Sequence, residues 1–193
     1  MEEEMQVYNY KSIFNEAYER SLKFKLNPPK IRYSNDTFLG DFFINEIDNL
    51  LERWIGNVDF DKQRDNCMGF HLGVKPFLEE YLSSDVYYTI GYLVKDKGRL
   101  YYLTDDMIES MLEEGFNNDR IYIHVWLTLP TMEILDFTFL TVYAELANKP
   151  DRKGEFYMGK AEELNDDIFY YPVLIGDGFL RKYGVLVDIP IEG

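Results

Sequence analysis

The part of the chain that most constrains its fold is residues 121–138, IYIHVWLTLPTMEILDFT, where apolar and polar-capable residues alternate on either side of Leu129-Pro130-Thr131. A two-residue period broken by a proline-containing triplet predicts a β-hairpin. A three-residue loop centred on Pro130 places His124 directly across the ladder from Asp136, with Trp126 and Thr138 on the same face. A carboxylate opposite an imidazole can accept its N–H, fix its tautomer and stabilise its protonated form. A histidine acting as a general base needs these three things.

Upstream of the hairpin the periodicity is helical. Residues 9–25 set Ile13, Ala17 and Leu22 near helical spacing, and Asn27-Pro28-Pro29 ends the run. Phe38, Phe42, Ile47, Leu50, Leu51 and Trp54 recur every three or four residues, which predicts a helix from Thr37 to about Ile55, capped by Asp36 and closed by Gly56. The polar stretch 57–66 reads as a loop. Cys67, the only cysteine, then opens a helix behind Asp65-Asn66, either of which can cap it. That helix extends to about Leu82 with Phe70, Val74, Phe77, Leu78 and Tyr81 on one stripe. Gly69 and Gly73 would let a neighbouring backbone approach, and Pro76 should kink or split the helix.

Val86 to Val94 is β-branched and aromatic, as a buried strand is, and Asp96-Lys97-Gly98 turns it into a partner over 99–103. Thr104 caps a short helix over 105–115. Past Thr138 the pattern gives an apolar run to Ala147, a loop over 149–154, a strand near 155–158, a helix or turn around 172–183 and a last strand over 184–189. Helices followed by a mostly antiparallel sheet define the α+β class. The 193 residues read as one domain: a helical part (1–56), a core carrying the chemistry (57–143) and an extension that completes the sheet (144–193).

Thirty-five acids against 20 bases give a net charge of −15, which repels phosphate backbones and anionic membrane surfaces and so argues against nucleic-acid or membrane partners. A basic protein is the kind of partner such a surface accommodates. One cysteine forms no internal disulfide, the acidic start MEEEMQVYNY has no signal-peptide core, and no run of 18 apolar residues occurs. The expected location is cytoplasmic, although export without a cleaved signal would leave no trace in such a sequence.

Cysteine attacks as thiolate, which a helix N-terminus and a nearby imidazolium both favour. Cys67, His124 and Asp136 are therefore the candidate nucleophile, base and orienting acid. Taken singly, each has a plainer explanation: a small buried thiol, a satisfied strand histidine, an exposed strand acid. The joint order is more informative. Asn66-Cys67 at a helix start, Tyr88-Thr89-Ile90-Gly91-Tyr92, His124-Val125-Trp126 and Leu135-Asp136-Phe137-Thr138 together resemble the core of the transglutaminase-like branch of papain-like cysteine enzymes.

The resemblance covers about residues 54–140. It implies an antiparallel sheet packed on the Cys-bearing helix, and acyl transfer from a peptide or protein amide or ester through a thioester on Cys67, with no cofactor. Water as acceptor gives a peptidase or deamidase; an amine gives a transglutaminase or acyltransferase. The oxyanion hole would combine the Cys67 N–H with an upstream side-chain donor, Gln63 first and Trp54 second.

His71, four residues after Cys67, reads as a competing base or, more simply, as a helix-surface or capping histidine. One cysteine and two histidines make a poor zinc site, and no glycine-rich phosphate loop is present. The acids at Glu79-Glu80, Glu162-Glu163 and Asp166-Asp167 read as solvated surface. Two alternatives stand beside the triad enzyme: a non-catalytic acidic binding or immunity-type protein that retains the fold, and an arylamine-acyltransferase-like enzyme with the same residue order.

Overall fold

A computed structural model describes residues 8–56, 66–95, 98–116, 122–149, 154–163 and 168–187. The elements are α1 (Tyr10–Lys23), α2 (Asp41–Ile55), α3 (Cys67–Leu82), β1 (Tyr87–Lys95), β2 (Gly98–Leu100), α4 (Asp105–Glu114), β3 (His124–Thr128), β4 (Glu133–Asp136), α5 (Phe139–Leu146), β5 (Tyr157–Lys160), β6 (Ile168–Ile175) and α6 (Gly178–Tyr183). The chain is α+β, with its helices packed on a curled, wholly antiparallel sheet. β1 is the central strand. β6 runs along one of its edges, while β3 and β2 share the other, and the sheet continues from β3 through β4 to β5.

Because side chains alternate across a strand, the sheet has two different faces. Tyr88, Ile90, Val125, Leu127 and Leu135 face Leu50 and Leu51 of α2, Val74 and Leu78 of α3, and Phe179 of α6. Tyr87, Trp126, Ile134 and Tyr170 face Tyr10, Phe14 and Ala17 of α1 and Phe139 of α5. A buried polar chain ties α1 to this second face. The Trp126 indole donates to the Tyr10 hydroxyl (2.7 Å), which bonds the Thr128 hydroxyl (2.7 Å), itself bonded to Thr89 (2.8 Å). Among the described residues no helix is long and apolar enough to cross a membrane.

Several local expectations are corrected. α2 begins at Asp41 rather than Thr37, because the buried carboxylate of Glu133 takes the Phe38 and Leu39 N–H groups (3.0 and 3.3 Å) and holds that segment outside the helix. Asp36 is occupied with the Ser34 hydroxyl and does not cap α2. Pro76 does not split α3, which runs unbroken from Cys67 to Leu82. Gly73 faces open space rather than a neighbouring backbone, and Gly69 makes room for the Asn66 side chain that caps the helix.

The apolar run after Thr138 is α5. The region around Pro172 is strand rather than helix or turn: β6 passes through it to Ile175 before α6 begins. Pro172 is tolerated because β6 pairs only with β1 and is irregular there, where a missing N–H costs little. Residues 184–187 form no strand. Residues 188 and 189 of that expected strand, the turn residues 96 and 97, and residues 150–153 of the expected loop lie outside the described residues.

Gly91 sits directly across from His124 in the β1–β3 ladder. A Cβ there would lie 2.2 Å from the Tyr171 carbonyl oxygen and 2.5 Å from the Trp126 ring. Gly91→Ala should therefore destabilise the fold by about 1–3 kcal/mol, a Tm about 2–12 °C lower by calorimetry. An unchanged Tm would show that β6 yields freely at this point.

Candidate active site

The hairpin forms, but with a different loop. Leu129 and Glu133 are joined by a backbone hydrogen bond (2.9 Å), and Pro130, Thr131 and Met132 make the turn, with Met132 at φ 68°. This is the three-residue hairpin geometry that closes with a left-handed residue. The observed pairs, Leu127 with Leu135 and Thr128 with Ile134, displace the expected register by two residues. Continued along the strands, they set Trp126 opposite Asp136 and leave His124 on the diagonal. A one-residue slip would have sent the carboxylate to the other face; a slip of two keeps it on the same face. His124 Nε2 and Asp136 Oδ2 meet at 2.7 Å with both side chains buried.

Asp136 is held on every side. Its Oδ2 also accepts from the Tyr170 hydroxyl (2.9 Å), and its Oδ1 accepts the Thr138 and Phe139 N–H groups (both 3.0 Å) and the Thr138 hydroxyl (3.2 Å). These contacts start α5. Burial pushes the Asp136 carboxyl up, but the charge and hydrogen bond of His124 outweigh it and keep the group ionised well below the usual carboxylate range. For His124, burial disfavours the charged ring. The Asp136 carboxylate and the neighbouring Cys67 thiol overcome that cost and raise its pKa to about 9. The ring is an imidazolium at neutral pH.

Cys67 opens α3 as expected, with Asn66 accepting the Gly69 N–H at 3.1 Å. α3 packs on the opposite sheet face from the His124 ring, yet His124 is the first residue of β3, so the start of α3 reaches the ring around the end of the sheet. The thiol donates to the carbonyl of Ile123, the residue before His124, at 3.9 Å, close enough for its charge to favour the protonated ring. With Nε2 committed to Asp136, Nδ1 is the ring nitrogen left for sulfur. The first N–H groups of α3, that of Cys67 among them, have no acceptor within the helix.

The two oxyanion candidates fare differently. Gln63 lies outside the described residues. Trp54 does not reach the thiol: its indole stacks on Phe77 (5.9 Å) and meets Tyr81 edge-on (5.8 Å), about 15 Å or more along α3 from Cys67.

His71 is not on the helix surface. It is fully buried, with Nδ1 2.8 Å from the Cys67 carbonyl and Nε2 accepting the Phe137 N–H at 3.2 Å. Those partners fix a neutral ring protonated on Nδ1, a brace between the Cys67 turn and the end of β4. Three further contributors are absent from the sequence reading. Tyr170 lies on the strand hidden by Pro172. Phe139 meets the His124 ring edge-on at 5.8 Å, and Tyr101 stacks on that ring at 5.2 Å with its own φ at +62°. Positive φ at a bulky residue is strained backbone and marks a special position. Burial, with the Cys67 and Asp136 charges, raises the Tyr101 phenol to about 12. Tyr101 follows β2 with no periodic signal of its own.

No family model matches this chain, and no curated protein or solved structure matches it. Among the described residues no group of three His, Cys, Asp or Glu side chains is placed to hold a metal ion.

The buried histidines give the fold an acid limit. Burial lowers the His71 pKa from 6.5 to about 4, so the unfolded chain takes up this proton first as pH falls. Its contribution is complete above about pH 6.5 and should be lost by pH 4, at a cost of about 3 kcal/mol. His124 acts in the opposite sense: its contribution is complete below 6.5 and lost as pH rises through about 9. In thermal melts from pH 6.5 down to 4, the wild type should lose stability more steeply than His71→Asn, whose amide can keep the bond to the Cys67 carbonyl. Parallel curves for the two proteins would contradict this.

Proposed function

We propose that the protein is a cysteine-dependent acyl-transfer enzyme of the transglutaminase-like or papain-like kind, acting on an amide or ester of a peptide or protein, with Cys67, His124 and Asp136 as its triad. The observation that carries this is the buried 2.7 Å contact between His124 and Asp136 with the helix-start thiol of Cys67 3.9 Å from the carbonyl of Ile123, the residue before His124. The thiolate sulfur of Cys67 bonds to the substrate carbonyl carbon, and the carbonyl electron pair moves onto oxygen, where the free N–H groups of α3 can receive it. The intermediate collapses as the bond to the leaving amine or alcohol breaks, and His124 gives that group its proton. The thioester is then attacked by water or an amine, His124 takes the attacker's proton, and Cys67 leaves as thiolate. Asp136 keeps the ring oriented and charged between the two halves. A peptidase or deamidase and an amine-transferring enzyme differ only in that second attacker. A cytoplasmic site of action accords with this reading.

A second reading has an observation of its own. His124 is only 2 % exposed and lies under Tyr101, and the thiol rests on the Ile123 carbonyl, as in a non-catalytic acidic binding protein that retains the fold.

Alkylation separates the two. Iodoacetamide at about pH 6 should modify Cys67 well ahead of a free thiol, and His124→Ala should slow the reaction at least about tenfold. An activated ester should leave an acyl group on Cys67 that is detectable by mass spectrometry. An alkylation rate equal to that of an ordinary thiol and indifferent to His124→Ala, with no acyl adduct, would favour the binding protein.

A further inference from the structure

A cleft of about 480 Å³ lies between α1, β6 and the segment leading into α4, lined by Tyr8, Glu16, Arg20, Tyr92, Tyr102 and Tyr171 among others. Its size suits a small ligand or a single side chain. It is separate from the triad, though near it, because Tyr102 follows Tyr101, whose ring lies on His124. We propose that this cleft binds a basic side chain, the ammonium of a lysine or the guanidinium of an arginine, presented by a partner or substrate.

The walls are electron-rich rings, one pair parallel and the others edge to face. Tyr92 lies parallel to Tyr171 (5.0 Å, 6°) and perpendicular to Tyr102 (5.0 Å, 85°), and Tyr8 meets Tyr171 edge-on (5.7 Å). Such rings attract cations through their quadrupoles. The chain already uses one of them this way, with the Arg99 guanidinium 4.4 Å above Tyr102.

The charges within the cleft point in the same direction. Arg20 is held in place: its Nε is 2.8 Å from Asp105 Oδ1 and its Nη1 donates to the Val173 carbonyl at 3.4 Å. Asp105 is also engaged by Lys23 at 2.9 Å. Glu16 remains as the lining carboxylate with no ion pair among the described residues. The charged residues that line the cleft itself are two carboxylates, Glu16 and Asp105, and one guanidinium, Arg20. A cation would meet tyrosine faces and a carboxylate, on a chain whose net charge of −15 draws basic partners in. The inference stands whether or not the thiol is reactive.

The test is an NMR titration at low ionic strength with N-acetyl-lysine methylamide and N-acetyl-arginine methylamide, using the uncharged norleucine analogue as control. The expected result is upfield ring-current shifts of the ligand's terminal methylene and perturbation of the Tyr92, Tyr102 and Tyr171 signals. Affinity should fall about fivefold in Glu16→Gln, an exposed position that should not disturb folding. Tyr102→Ala should weaken binding as well, whereas Cys67→Ala should bind like the wild type. Equal binding of the norleucine analogue, no effect of Glu16→Gln, or loss of binding in Cys67→Ala would overturn the proposal.

Discussion

The contact between His124 and Asp136 is the interaction around which the rest of the molecule is arranged. Burying a carboxylate and an imidazole together is costly unless every lone pair and proton is met. Here the two oxygens of Asp136 take hydrogen bonds from His124, Tyr170, Thr138 and the Phe139 backbone. The donors come from β3, β6 and the first turn of α5, so the cost of burial is offset by three elements at once. Removing one partner of such a pair costs on the order of 3–5 kcal/mol, because the charge left behind stays buried. The same contact sets the site's chemistry, since it holds the ring charged despite near-complete burial.

The thiol joins this pair through a second set of constraints. Asn66 starts α3 at Cys67, and His71, one turn on, bonds both the Cys67 carbonyl and the Phe137 N–H. The brace runs from the Cys67 turn to the residue after Asp136, fixing sulfur and carboxylate relative to each other through neutral hydrogen bonds. It does so without adding a second positive charge beside His124, because burial keeps the His71 ring uncharged at neutral pH. The two histidines of the chain thus sit in the same buried region in opposite protonation states. What separates them is the 2.7 Å hydrogen bond of one to the Asp136 carboxylate against the backbone partners of the other, whose Nε2 comes no nearer than 3.9 Å to that carboxylate.

The sequence revealed those parts of the fold that rest on local periodicity and capping. The Cys67 helix begins where Asn66 can cap it, α4 begins behind Thr104 whose hydroxyl accepts the Met107 N–H, and the hairpin alternation put His124 and Asp136 on one face. What escaped depends on partners distant in the chain. Glu133 delays the start of α2 by capturing backbone from 94 and 95 residues away. The hairpin register turns on Met132 adopting positive φ, which nothing in Leu129-Pro130-Thr131 announces. β6 was masked by Pro172, and with it went Tyr170. His71 looked like a surface residue because helical spacing alone does not say that β4 will end against that side of α3. The pairing of His124 and Asp136 survived the register error only because the slip was an even number of residues.

The most direct test of the account is the protonation state of His124 itself. In ¹⁵N-histidine NMR, the account predicts that at about pH 7 both ring nitrogens of His124 carry protons, that the ring titrates near pH 9, and that Asp136→Asn returns the titration toward ordinary histidine values. A ring that is neutral at pH 7 and insensitive to Asp136→Asn would contradict it, and would leave the carboxylate without its counter-charge and the thiol without an imidazolium beside it.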